Sequence, residues 1–292
     1  MQRWILGFAV LAFVSVGVAR GVDYDYQLQQ VIRVEGRQGV ALTRDSMYVS
    51  GSRALYRYDR KGKRLAANTS PFADWDRTAN HMGDIACHDG RIYAGVEQFQ
   101  NGRGTDLRIA VYDAKTLKYE QSFVCDASSG QVEISGIGVD PRRGILWMTD
   151  WTNGRDLYRY DLQTGRYLGR THLFPVPQWQ QGVAWMDGFL YVTADDGNAD
   201  DDLPDHLYRL PDNPLPPAAQ VHLEKAFTEV TRAGEIEGLA FDAYHGTLAI
   251  LHNRGAHIVQ GYPAGFYPEY DREISEVYLY QRLPRKKATD AR

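Results

Sequence analysis

Six carboxylates stand where short apolar strands begin or end: Asp84, Glu97, Glu133, Asp150, Asp195 and Glu237. Carboxylates gathered closely repel one another unless a proton, a cation or a cationic ligand intervenes. They are therefore read as oxygen donors for a divalent cation, and Ca²⁺, a hard ion that takes six to eight oxygens, suits such a set. The stretch Asp195 to Asp205 adds to this reading, with six aspartates in eleven residues, although it lacks the spaced bidentate glutamate of an EF-hand loop. For proton transfer the candidates are Glu237, beside Gly238, and His81, two residues from Gly83 and three from Asp84. An imidazole changes charge near neutral pH and a desolvated glutamate is brought toward it. Gln38, Gln181, Trp151 and His252 are candidate ligand contacts. Each of these residues also has a plain structural use: a histidine near a turn satisfies loop groups, and amides such as Gln38 and Gln181 satisfy backbone groups at a channel mouth.

What would bring these residues together is a repeat. Five segments open on a glycine followed by a short apolar strand, with the glycines at 39, 83, 136, 182 and 238, spaced by 44, 53, 46 and 56 residues. Each runs into a turn, among them His88-Asp89-Gly90 and Met186-Asp187-Gly188, and then into a second strand. Asp-Gly turns of this kind join antiparallel strands. Third strands recur nearly letter for letter, as in Leu55-Tyr56-Arg57-Tyr58-Asp59 and Leu157-Tyr158-Arg159-Tyr160-Asp161. A fourth, more polar strand closes each of the first four units. Four short antiparallel strands per unit is the rhythm of a β-propeller blade. The fifth unit runs out of chain after Tyr280, while Tyr26 to Val34 precedes the first unit without belonging to it. The sequence therefore predicts an all-β propeller of five four-stranded blades, closed by the N-terminal strand completing the last blade. Six blades are the alternative if residues 253–276 hide another unit.

In such a ring, the loops entering the first strands and leaving the second strands open on one face around the axis. The acidic residues above fall there, with Arg37, Ser52 and Glu235 in their company. Tyr262, Phe266, Tyr267 and Tyr270 are placed in a long loop on the same face, as a lid or as packing for the rim.

Arg3 and the apolar stretch Trp4 to Val18, followed by Ala19, read as a secretory signal peptide over residues 1–19. Residues 20–284 form a single propeller domain, and residues 285–292 a charged tail. This makes the chain secreted or periplasmic, with no transmembrane segment after cleavage. A formal net charge of −4 and no long basic run argue against nucleic acid as a partner. A small-molecule or glycan ligand and a monomeric state are expected. Cys87 and Cys125 map to the innermost and outermost strands of one blade, too far apart for a disulfide, so two free, mostly buried thiols are predicted. No nucleophile elbow, HExxH, CxxC or phosphate-binding glycine loop occurs.

The strand rhythm resembles exported propellers of the broad NHL, SMP-30/gluconolactonase and strictosidine-synthase-like group. Glu237-Gly238 looks like the glutamate that begins an inner strand in SMP-30-type lactonases, with Leu239 where that family has proline. That resemblance implies a divalent cation on the axis and hydrolysis of esters or lactones. Gln38-Gly39 is similar to the opening of plant-type glutaminyl cyclases, although Ser50 stands where their first blade carries an acid. The leading expectation is a propeller binding a cation and a small or glycan-like ligand, as a metal-dependent hydrolase. A non-enzymatic recognition module and a glutaminyl-cyclase-like acyltransferase are the alternatives.

Overall fold

The protein is represented by a computed structural model, which describes residues 22–75, 78–152, 154–212, 216–230, 232–259 and 262–285. The leader read over residues 1–19 and all of the charged tail but Arg285 lie outside the described residues. No described helix is long and apolar enough to cross a membrane.

Five sheets radiate from a common axis. Their innermost strands are Gly39–Leu42, His81–His88, Ile137–Asp140, Gln180–Met186 and Ala233–Asp242. The second strands are Ser46–Gly51, Arg91–Gln100, Ile145–Met148, Phe189–Ala194 and Thr247–Arg254. Third come Ala54–Asp59, Arg103–Asp113, Asp156–Asp161, His206–Pro211 and Ile274–Pro284. The outer strands of the first four blades are Arg64–Asn68, Tyr119–Val124, Tyr167–Phe174 and His222–Ala226. Blade five takes its outer strand from the other end of the chain, Tyr24–Arg33, paired antiparallel from Tyr24 opposite Pro284 to Arg33 opposite Glu276. The ring thus closes by strand exchange between the termini, as predicted, and leaves no open edge between first and last blade. Residues 253–276 hold a two-stranded hairpin, Ala256–Val259 with Tyr262–Phe266, and no sixth blade.

The hairpin turns follow local chemistry. Asp89 and Gly90, and likewise Asp187 and Gly188, have positive φ, the left-handed pair that a two-residue hairpin turn requires. In every blade the pairing of third with outer strand slips by one residue at a β-bulge, for example between Arg57 and Tyr58 and between Arg159 and Tyr160. A bulge increases local twist, which suits a blade that must fan outward from the axis.

Five apolar clusters hold the ring, one between each pair of neighbouring blades. Blade one packs Tyr48 and Leu55 against Ile85 and Tyr112 of blade two; blade two packs Tyr93 and Ile109 against Leu146 and Tyr160 of blade three. Equivalent clusters lie between blades three and four, four and five, and five and one. Cys87 and Cys125 are free, and both are half-buried, each against a different inter-blade cluster. Their separation across the width of blade two is what keeps them apart, and both pack against core clusters.

Near the axis the recurrent glycines have a steric reason. A Cβ on Gly39 would lie 2.4 Å from both Cα and Oδ1 of Asp84, one on Gly83 would lie 2.3 Å from the carbonyl oxygen of Ile134, and one on Gly238 would lie 1.9 Å from Asp84 Oδ1. Inner strands approach there more closely than any side chain permits. Substituting Gly238→Ala is therefore expected to destabilise the protein by about 2–3 kcal/mol, the scale of an overpacked core, as read by urea unfolding with an unchanged slope.

Candidate functional site

The loops that enter the inner strands and those that leave the second strands meet at one end of the axis around a pocket of about 220 Å³. Gln38, His81, Glu133, Trp151 and Gln181, all singled out in the sequence, line it. So do Arg37, Ser52 and Glu235 from the same loops.

One wall is a histidine between two carboxyls. His81 begins the inner strand of blade two, and its register partner on the second strand is Glu97. That pairing sets the two side chains against each other, His81 Nδ1 lying 2.8 Å from Glu97 Oε1. The other ring nitrogen, Nε2, is 2.9 Å from Gln38 Oε1, contributed by blade one. Glu133 comes from the loop entering blade three, and one donor atom from each of His81, Glu97 and Glu133 lies within 4.8 Å of the others. Both carboxylates are anchored by amides. Ile134 N donates to Glu97 Oε2 at 3.1 Å, and Trp151 N and Thr152 N donate to Glu133 Oε2 at 2.8 and 3.2 Å.

Burial governs the protonation of this group. Desolvation pushes Glu97 up to about 8 and raises Glu133 well above the ordinary carboxylate range, with the charge of Glu97 adding to the latter. His81 is lowered, again chiefly by desolvation. A neutral imidazole beside a protonated Glu97 follows: Nε2–H donates to Gln38, and Glu97 donates to Nδ1. The neutral ring is also the form in which histidine ligates a metal.

The opposite wall pairs charges. Arg37 NH2 donates to Glu235 Oε2 at 2.8 Å and its Nε donates to Glu273 Oε2 at 3.0 Å. Gln181 Nε2 donates to Glu235 Oε1 at 2.9 Å. Glu237 stands behind Glu235, only 2% exposed, and accepts from Asn253 Nδ2 at 2.8 Å. Its burial, with Glu235 next to it, raises its carboxyl well above the usual range. Gln38 and Gln181 therefore bond side chains of the site, where the sequence suggested backbone groups.

Other expected residues lie elsewhere. Asp84 is fully buried on the axis beneath the pocket, where its Oδ1 accepts from Ile85 N at 2.8 Å and Val40 N at 3.2 Å. A bulge between Met82 and Ile85 turns it away from His81, so the two do not face the mouth together. Asp150 sits behind Glu133 and accepts from Val132 N at 3.0 Å. Asp195 lies with Asp205 and Asp196, and burial with these neighbouring charges raises it. The acidic loop after it is folded on its own partners: Asp196 on His206 and Tyr208, Asp202 on Arg232, and Asn198 paired with Leu203. His252 is not in the pocket; its ring is fully buried between Phe227 and Tyr278. Of the aromatic segment, Tyr267 packs on His257 and Tyr270 accepts from Arg254, while Phe266 is exposed. The pocket takes Pro263 from that hairpin instead, and its aromatic surface comes from Trp151 and Phe99. Phe99 and Asn80 carried no signal in the sequence, because both depend on how far the strands of blade two extend past the ring.

No family model matches the sequence, and no curated protein matches it. Solved structures do. A glutaminyl cyclase from Myxococcus xanthus is similar over 90% of this chain and 99% of its own, at 12% identity and a TM-score of 0.59. The PQQ-bound aldose sugar dehydrogenase of Streptomyces coelicolor is similar over 89% of this chain and 99% of its own, at 12% identity and a TM-score of 0.51. A gluconolactonase from Xanthomonas campestris aligns over 80% of this chain and 68% of its own, at 14% identity and a TM-score of 0.45. At these identities the likeness is one of fold: this chain is a five-bladed propeller.

The raised carboxyls imply a definite pH response. Glu97 binds its proton more tightly folded than unfolded, so its contribution to stability is present below the ordinary glutamate range and is lost as pH rises toward about 8. The lowered histidines act in the opposite sense, but only below their ordinary pKa of about 6.5. Between about pH 7 and 8.5 the melting temperature is therefore expected to fall, and Glu97→Gln is expected to flatten that fall, as measured by thermal denaturation in a metal chelator.

Proposed function

We propose that the mouth pocket is a site for acid–base chemistry at the carbonyl of a small polar ester or lactone, with a divalent cation held by His81, Glu97 and Glu133. The observation that carries this reading is the convergence of those three donor atoms within 4.8 Å on the wall of the pocket. One imidazole nitrogen with two carboxylates fits Zn²⁺ or Mn²⁺ better than Ca²⁺, which favours an all-oxygen shell. Such an ion polarises a carbonyl and acidifies bound water.

The chain's own groups supply the rest. In the ion-free pocket Glu97, brought to about 8, is poised to give or take a proton near neutral pH through Nδ1 of His81, whose Nε2 is held by the amide oxygen of Gln38. Arg37 is held by Glu235 and Glu273 through NH2 and Nε, which leaves its NH1 as a donor for a substrate oxyanion. Glu237, behind Glu235, positions the arginine wall. Trp151 and Phe99 provide the apolar surface that excludes water.

A second reading, glutaminyl-cyclase-like acyl transfer, is favoured by the shared fold over 90% of this chain with the Myxococcus xanthus enzyme, together with a proton-carrying Glu97–His81 pair in the pocket. In it an N-terminal amine attacks a side-chain amide and ammonia leaves. The apolar leader supports export, which would place the protein outside the cytoplasm; recovery of a mature N-terminus after Ala19 from the exported fraction tests this.

Purified protein, stripped with chelator and reloaded with Zn²⁺, Mn²⁺ or Ca²⁺, is to be assayed on δ-lactones, on aryl esters and on a glutaminyl peptide with ammonia as readout. Hydrolysis that returns with Zn²⁺ or Mn²⁺ and falls at least about 100-fold in His81→Ala and Glu97→Gln is the expected result. Ammonia release without ester or lactone turnover selects the second reading. No turnover, with no ion bound by calorimetry, overturns both and leaves a recognition module.

A further inference from the structure

The mouth pocket does not end at Trp151. A depression of about 440 Å³ shares Trp151 with it, and a further one of about 560 Å³ shares Arg155 and His172 with the second. The three form one trough running from the axis outward along blade three.

Its surface is aromatic at the near end and cationic at the far end. Trp151 and Trp179 pack with ring centroids 4.8 Å apart, and Trp179 is left 45% exposed. Leaving a large indole in water is unfavourable unless something covers it. Trp179 is also held in the left-handed region, at φ 53, which a bulky residue rarely adopts. The loop is pinned in that state. Asp195 N donates to the Trp179 carbonyl at 3.0 Å, and Gln180 Nε2 donates to the carbonyl of Gly154 at 2.7 Å.

At the far end, Arg170 and His172 share one carboxylate, Asp156, at 3.4 and 3.1 Å. Arg155 is exposed, and its guanidinium has no ion pair or hydrogen bond among the described residues. Two arginines and a histidine against one aspartate leave this end positive. An extended peptide is a poor occupant. The edge of the outer strand at His172 to Phe174 is already taken by Ala218–Gln220, running parallel, so no strand can be added there.

A flat indole face followed by planar cationic groups matches a chain of pyranose rings that carry carboxylates: the C–H face of a sugar stacks on tryptophan, and guanidinium binds carboxylate in a fork. We propose that the trough is a subsite for an acidic, uronate-type oligosaccharide, one unit stacked on Trp179 and a carboxylate held by Arg155. This rests on the proposed chemistry of the mouth pocket only for the claim that the adjoining unit is the one that reacts.

The test is binding of tetragalacturonate, its neutral methyl ester and maltotetraose, followed by calorimetry and tryptophan fluorescence. Wild type is expected to bind tetragalacturonate at least about tenfold more tightly than either neutral chain. Arg155→Gln is expected to erase that preference without weakening the neutral chains, and Trp179→Ala to weaken all ligands about tenfold. Both positions are exposed, so an unchanged melting temperature marks folded variants. No saturable binding of tetragalacturonate, equal binding of its methyl ester, or affinity unmoved by Trp179→Ala overturns the proposal. His81→Ala combined with Glu97→Gln keeps the two readings apart. Binding retained in that protein supports the subsite even where turnover is absent in wild type, and turnover of small esters without any oligosaccharide binding removes the subsite alone.

Discussion

One buried carboxyl, that of Asp84, holds the centre of the ring. Its Oδ1 accepts amide hydrogens from Val40 of blade one and Ile85 of blade two, and the amides of Leu239 in blade five and Ile137 in blade three also point at it. Amides from four blades thus converge on one carboxyl. Glycines at 39 and 238 make room for it, since any side chain there would occupy its volume. Hydroxyls one strand further out extend the lacing. Ser50 donates to the carbonyl of Gly83 across the boundary of blades one and two, and Thr193 donates to the carbonyl of Glu237 across that of blades four and five. Burial drives the Asp84 carboxyl upward while the amides oppose this. The Asp84 carboxyl is therefore packed among the inner strands at the axis, beneath the bowl of the mouth.

The bowl concentrates acid in a place that water barely reaches. Two solutions to the resulting repulsion stand side by side. On the His81 wall, desolvation raises the carboxyls of Glu97 and Glu133 and lowers the imidazole of His81, shifting all three toward their neutral forms. On the Arg37 wall, a guanidinium answers Glu235 and Glu273 directly. The first wall can exchange protons or accept a cation, because desolvation disfavours its charges; on the second, the carboxylates are already held by ion pairs.

The expected ring of ligands shrank because side chains in a strand alternate between two faces, and the phase of that alternation is set by register. His252 and Asn253 are neighbours, yet the first points into the apolar layer between blades and the second reaches Glu237. A bulge at Gly83 and Asp84 changes the phase within blade two, sending His81 to the mouth and Asp84 to the axis. Such slips leave no reliable mark in the residue types. Nor does the acidic run after Asp195, whose composition suits a cation but whose carboxylates find partners in His206, Tyr208 and Arg232.

By itself the sequence determined the propeller rhythm, the four-stranded unit, the exchange of termini and the face on which the polar loops gather, and it favoured five blades over six. These are local matters: period-two alternation, Asp-Gly turns and a glycine phrase recurring about every 50 residues act over a few neighbours and repeat. It also placed Gln38, His81, Glu97, Glu133, Trp151 and Gln181 among the candidates that do converge or stand directly behind the pocket. Only the tertiary structure decided which carboxyls meet and which are withdrawn. That choice depends on register, on bulges and on closure of the ring, which bring residues 37 and 273 or 38 and 81 into contact across distances no local pattern spans.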